Sequence, residues 1–145
     1  MPLYDSEIMI RLVSELKKSL ARLNAIAELP FDEYRKDPDK IGSSKYHFIV
    51  AIEACIDMGN HVIARNGYRV PEDYADTFRV MNEAGIFDDS FTQELTRMAR
   101  FRNRLVHLYW EVDEKQLYDL LKTKREDFTL YLKGISAFLE WKADR

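Results

Sequence analysis

The sequence predicts an all-α fold, an antiparallel bundle of about five helices. Three observations carry that expectation. Apolar residues recur at steps of three or four through most of the 145 residues. Five Gly and four Pro leave little material for sheet turns, while Leu, Ala, Glu, Lys and Arg, all good helix formers, are abundant. No two-residue alternation is long enough for a sheet, and the spacing is not a sustained heptad, which favours a globular bundle over an extended coiled coil.

The first helix is expected from about Asp5 to Leu29, where Ile8, Leu12, Leu16, Leu20, Leu23 and Ile26 make one apolar stripe and Pro30 ends it. Phe31 to Asp39 is a mixed connector with Pro38 as a breaker and room for one helical turn. From about Ile41 to Arg65 the pattern is apolar around most of the circumference, as in a buried helix, and Asn66-Gly67 stops it. Glu72-Asp73-Tyr74 opens a shorter helix closed by Gly85, and Asp88, Asp89 or Ser90 caps a fourth, from about Phe91 to Val106. Asp113-Glu114 begins the last, which keeps helical spacing through Leu117, Phe128, Leu132 and Phe138 towards Trp141.

A hydrophobic content of 46% lets one chain of this length bury a core without staples, so residues 1–145 are expected to form a single domain. The lone Cys55 excludes an intrachain disulfide and sits in an apolar run. The start of the chain has neither a basic region nor a long apolar stretch, so no signal peptide or membrane span is expected and the cytoplasm is the default location. A net charge of −3 disfavours a protein that coats nucleic acid through its overall charge. A local basic site remains possible.

Such a site stands in the fourth helix. Arg97, Arg100 and Arg104 share a face with His107 at about 100° per residue, whereas Arg102 falls in the opposite, apolar arc. A permanently charged guanidinium there needs a carboxylate, a phosphate or a wet cleft. Glu53, Asp57 and His61 form a polar stripe at i, i+4 and i+8 on the buried second helix, so Glu53 or Asp57 is expected to orient Arg102 or His107. The alternative is a buried ion pair that only fixes helix register. With three histidines and no clustered thiols, no metal site and no cofactor are expected. Tyr109 follows just beyond the helix, where a loop can expose its hydroxyl.

The run Arg102-Asn103-Arg104-Leu105-Val106-His107-Leu108-Tyr109 resembles the R-x-x-x-x-H-x-Y signature of HepT-like toxins in the HEPN ribonuclease superfamily, including a polar residue, Asn103, directly after the arginine. The resemblance implies a homodimeric endoribonuclease toxin with two motifs facing across a shared cleft. It also implies an MntA-like minimal nucleotidyltransferase antitoxin that attaches AMP to the motif tyrosine, here Tyr109. Chemically, metal-free RNA cleavage through the 2′-hydroxyl suits an imidazole for proton transfer, His107, and a planar donor fork for the phosphorane, Arg102. Arg97, Arg100 and Arg104 would hold flanking phosphates, and Asn103 would position the phosphate or a catalytic side chain. Arg102 and His107 are expected to converge in an open groove. Two other readings compete: a non-catalytic dimer that binds a nucleotidyltransferase or nucleotide, and a helical adaptor whose basic stripe meets an acidic protein.

Overall fold

The structure, a computed structural model, describes residues 2–141. Seven α-helices run in order: α1 Ser6–Ala27, α2 Phe31–Tyr34, α3 Pro38–Arg65, α4 Tyr74–Glu83, α5 Asp89–His107, α6 Glu114–Thr123 and α7 Arg125–Leu139, with a 3₁₀ turn at Tyr109–Glu111. No strand occurs among the described residues.

Capping chemistry explains the boundaries. Asp5, Asp37, Asp73, Asp88 and Asp113 each accept backbone N–H bonds at the start of α1, α3, α4, α5 and α6 in turn. Pro38, taken from the sequence as a breaker, instead opens α3: behind the Asp37 cap its missing N–H and fixed φ suit the first helical turn. Gly67 (φ 67°) and Gly85 (φ 82°) supply the left-handed residues that end α3 and α4.

The expected last helix is two helices. Lys122 to Asp127 is an uninterrupted polar run, so the apolar stripe lapses, and the chain bends at Lys124, which closes α6 and opens α7. The connector after Pro30 does hold one helical turn, α2.

α1 and α3 lie antiparallel. Near the start of α1 the Leu3 and Asp5 N–H groups donate to Asn66 Oδ1 and His61 Nε2 at the end of α3, while Ser19 Oγ meets His47 Nδ1 near the other end at 3.1 Å. The free carbonyls at the end of α1 are covered by α6, since Lys122 donates to Ala27 O and the Tyr118 hydroxyl to Leu29 O. One hydrophobic cluster draws on α1 to α7, centred on α3 residues such as Ile52, Cys55, Ile56 and Met58. Cys55 is fully buried, and burial pushes its thiol pKa up, which makes it an unreactive core residue. α3 is long and apolar enough by length and composition to cross a membrane, but more than half of its apolar window is buried in the bundle. That is the pattern of a core helix. The α3–α4–α7 contact is tight at Gly59, where an added Cβ would lie 2.8 Å from Met81 Sδ and 2.9 Å from Thr77 Cγ2.

His61 accepts a hydrogen bond at Nε2 from the Asp5 N–H, so it must be unprotonated there. Burial first, then Arg65, holds its pKa below the ordinary 6.5, and burial with Arg22 does the same for His47. A histidine whose folded-state pKa is depressed stabilises the fold above its unfolded pKa and loses that contribution as pH falls through the folded value. The melting temperature is therefore expected to drop between about pH 7.5 and about pH 5.5, and His61→Gln to flatten the slope. Identical slopes in the two proteins would remove His61 from this account.

Candidate active site

α5 is built to carry charge at one end. Asp88 caps its N-terminus, Leu95, Met98, Ala99 and Leu105 are buried, and Arg104 and His107 fill its last turn, where cations interact favourably with the helix dipole.

Arg102 behaves as an arginine in an apolar arc must. Its side chain is only 14% exposed, and Nε and Nη2 both donate to Glu53 Oε1, at 3.0 and 2.8 Å. Nη1 donates to Asn103 Oδ1 at 3.0 Å, and the guanidinium lies 4.8 Å from the centre of the Tyr74 ring. Three elements thus hold it: α3, its own helix and the first residue of α4. A guanidinium has five N–H donors, and this clamp uses three. The other two have no acceptor among the described residues.

Glu53, not Asp57, is the partner. Asp57 faces α1, and its pKa is raised by partial burial first, then by the charges of Glu53 and Glu15. His61 is engaged with Asp5. The polar stripe on α3 therefore divides: Glu53 holds Arg102, His61 holds Asp5, and Asp57 pairs with neither site residue. Among the described residues no group of three or more His, Cys, Asp or Glu is placed to hold a metal.

His107, the last residue of α5, is exposed, and its imidazole has no hydrogen-bonding or charged partner among the described residues. It stands five positions after Arg102, which puts the two side chains about 140° apart around the helix and about 7.5 Å apart along it. Convergence of the pair inside one chain is therefore not what the helix provides.

Tyr109 opens the 3₁₀ turn and is 57% exposed. Lys45 of α3 donates to its carbonyl at 3.0 Å and stands 5.1 Å from its ring centre. Trp110, 69% exposed, packs edge-on against the Tyr109 ring, and Val106 and Leu108 are also exposed. Lys45 and Tyr74 are the site residues that sequence reasoning missed. Neither stands in a distinctive local pattern, and both reach the site from other helices.

The rest of the basic stripe is divided. Arg97 is exposed and pairs with Glu94, which also bonds Lys124 at 2.9 Å. Arg100 is exposed beside Arg79 in a shallow polar groove. Arg104 is half-buried, with Gln116 Oε1 at 3.5 Å.

Residues 16–135 match the family model described as Ribonuclease HepT-like. The chain belongs to the HepT-like ribonuclease family. Membership places it among RNA-cleaving enzymes, as the arginine-histidine-tyrosine signature led one to expect. Two relatives in the HepT-like family are the mRNA nuclease HepT of Shewanella oneidensis, 22% identical over 91% of this chain and 98% of that one, and the tRNA nuclease HepT of Aphanizomenon flos-aquae, 20% identical over 83% and 82%. The helical bundle is also that of the tri-AMPylated Shewanella oneidensis HEPN toxin solved in complex with its MNT antitoxin. That similarity has a TM-score of 0.83 at 22% identity, over 90% of this chain and 97% of that one. The all-α HepT-like fold is thereby established.

Proposed function

We propose that this chain is the toxin of a toxin–antitoxin pair, a metal-independent endoribonuclease that works as a homodimer in the cytoplasm. The observation that carries the reading is the state of Arg102: anchored by Glu53, Asn103 and Tyr74, with two N–H groups unused, five residues before an exposed His107 in a ribonuclease-family motif. Because the two side chains leave α5 in different directions, a second copy is needed to bring an imidazole to each guanidinium, and it also supplies a second imidazole.

In this reading one His107 takes the proton of the ribose 2′-hydroxyl, whose oxygen attacks the adjacent phosphorus. The partner's His107 gives a proton to the departing 5′-oxygen. Arg102 donates to the non-bridging oxygens as negative charge builds on the phosphorane. The products are a 2′,3′-cyclic phosphate and a free 5′-hydroxyl. The nucleophile is internal to the RNA, so DNA is not a substrate and the roles do not require a metal. Arg97, Arg100 and Arg104 hold flanking phosphates, and Asn103 keeps Arg102 in place.

The partner in this reading is an MntA-like minimal nucleotidyltransferase. It transfers AMP from ATP to the exposed phenol of Tyr109, releasing pyrophosphate, and the added phosphodiester places negative charge and bulk where RNA would enter. The antitoxin bound to the Shewanella toxin and the exposure of Tyr109 support this.

Incubation of the purified protein with total RNA in excess chelator is the test. Fragments ending in 2′,3′-cyclic phosphate are expected. Intact RNA at equimolar protein would overturn the nuclease reading and leave a non-catalytic nucleotidyltransferase partner.

A further inference from the structure

Beside the basic face of α5 lies a groove of about 330 Å³ whose interior the proposed chemistry does not use. α5 forms one wall, α3 the floor, and α6 and α7 the other wall; the break at Lys124 opens it. Phe48, Ile52 and Phe128 at its base are almost fully buried, and Phe48 meets Phe101 edge-on at 5.7 Å and Phe128 at 6.5 Å. The floor is apolar, and Phe101, half-buried on the α5 wall, is the aromatic ring with surface left to offer. Its rim carries Gln116 and Asp127, with the Glu94–Lys124 ion pair and Arg97 beside them and Arg104 just behind Gln116.

Asp127 stands in the first turn of α7, where a carboxylate suits the helix dipole, and it also lines the groove. It is half-buried, and its carboxylate has no hydrogen-bond partner among the described residues, only the charges of Lys124, Glu94 and Glu126 nearby. Burial is the main reason its pKa is raised. A carboxylate partly removed from water at the mouth of an apolar slot is costly unless a ligand donates to it.

The geometry points to a nucleobase subsite in this groove, selective for guanine, with Asp127 and Gln116 reading the base edge and Arg97 or Arg104 holding the attached phosphate. Guanine alone presents two adjacent donors, N1–H and N2–H, to one carboxylate, beside an acceptor, O6, for the Gln116 amide. Uracil, cytosine and adenine each offer a carboxylate a single donor group. Phe101 and the apolar floor offer contact that any base can use, so the polar rim sets the preference. Arg97 is exposed, so exchanging Glu94 for a phosphate costs it little. The subsite lies on the same helix as His107 and rests on the nuclease reading for its purpose, a guanine preference near the cut.

The test is titration of the full-length protein with 5′-GMP, 5′-AMP, 5′-CMP and 5′-UMP, followed by NMR or calorimetry. GMP is expected to bind tightest, with Asp127→Asn weakening it about tenfold and bringing the four nucleotides together. Leu120→Trp, which fills the groove, is expected to abolish binding of all four while circular dichroism shows a folded protein. Equal affinities for the four nucleotides, or GMP binding unaffected by Asp127→Asn, would overturn the subsite. Cleavage of RNA without GMP binding removes the subsite alone; GMP binding without cleavage removes the nuclease reading alone.

Discussion

His107→Ala is expected to lower RNA cleavage by about 10²–10⁴-fold, the range over which a positioned proton-transfer group acts. The same substitution should leave the melting temperature unchanged, because the imidazole is exposed and has no polar partner to lose among the described residues. The two results together separate chemistry from folding. If each dimer needs one imidazole as base and another as acid, mixing wild-type and His107→Ala chains gives heterodimers as inactive as the double variant. A His107→Ala protein that cuts at the wild-type rate ends the assignment.

Arg102→Ala is expected to cost about 10²–10³-fold in cleavage, comparable with removing one transition-state donor elsewhere. Unlike the histidine substitution, it should also destabilise the fold by about 1–2 kcal/mol, since it removes three hydrogen bonds and the contact with Tyr74. The penalty stays below that of a sealed ion pair because the Glu53 side chain remains 41% exposed and water can solvate it. Arg102→Lys keeps the charge and loses the fork, and it should remain slow for that reason. Glu53→Gln tests orientation. It keeps an acceptor for Arg102 and should retain more activity than Arg102→Ala at a temperature where both are folded. Equal cleavage by Arg102→Ala and wild-type protein would reduce Arg102 to a register-fixing residue.

Much of this arrangement is legible in the amino-acid order. The apolar period located the long helices, and a guanidinium standing in the apolar arc of α5 announced that it needed an acid, which Glu53 provides. Choosing between Glu53 and Asp57 was beyond the pattern, because both project from adjacent turns of α3 and only the packing of α1 decides which faces α5. The break at Lys124 has no Gly or Pro to mark it, only a lapse in apolar spacing that a solvated helix face would also produce. Lys45 and Tyr74 were invisible for a different reason. Their roles depend on which helices become neighbours, and that is a property of the whole bundle.

The clasp between the beginning of the chain and the far end of α3 also has a practical side. His61 and Lys45 are sixteen residues apart on that helix, about 24 Å, so Leu3 and Asp5 are fastened a long way from the Tyr109 turn. A dye attached at the exposed Leu3 would stand at the opposite end of α3 from the Tyr109 turn, leaving unencumbered the surface where the antitoxin is expected to meet the chain.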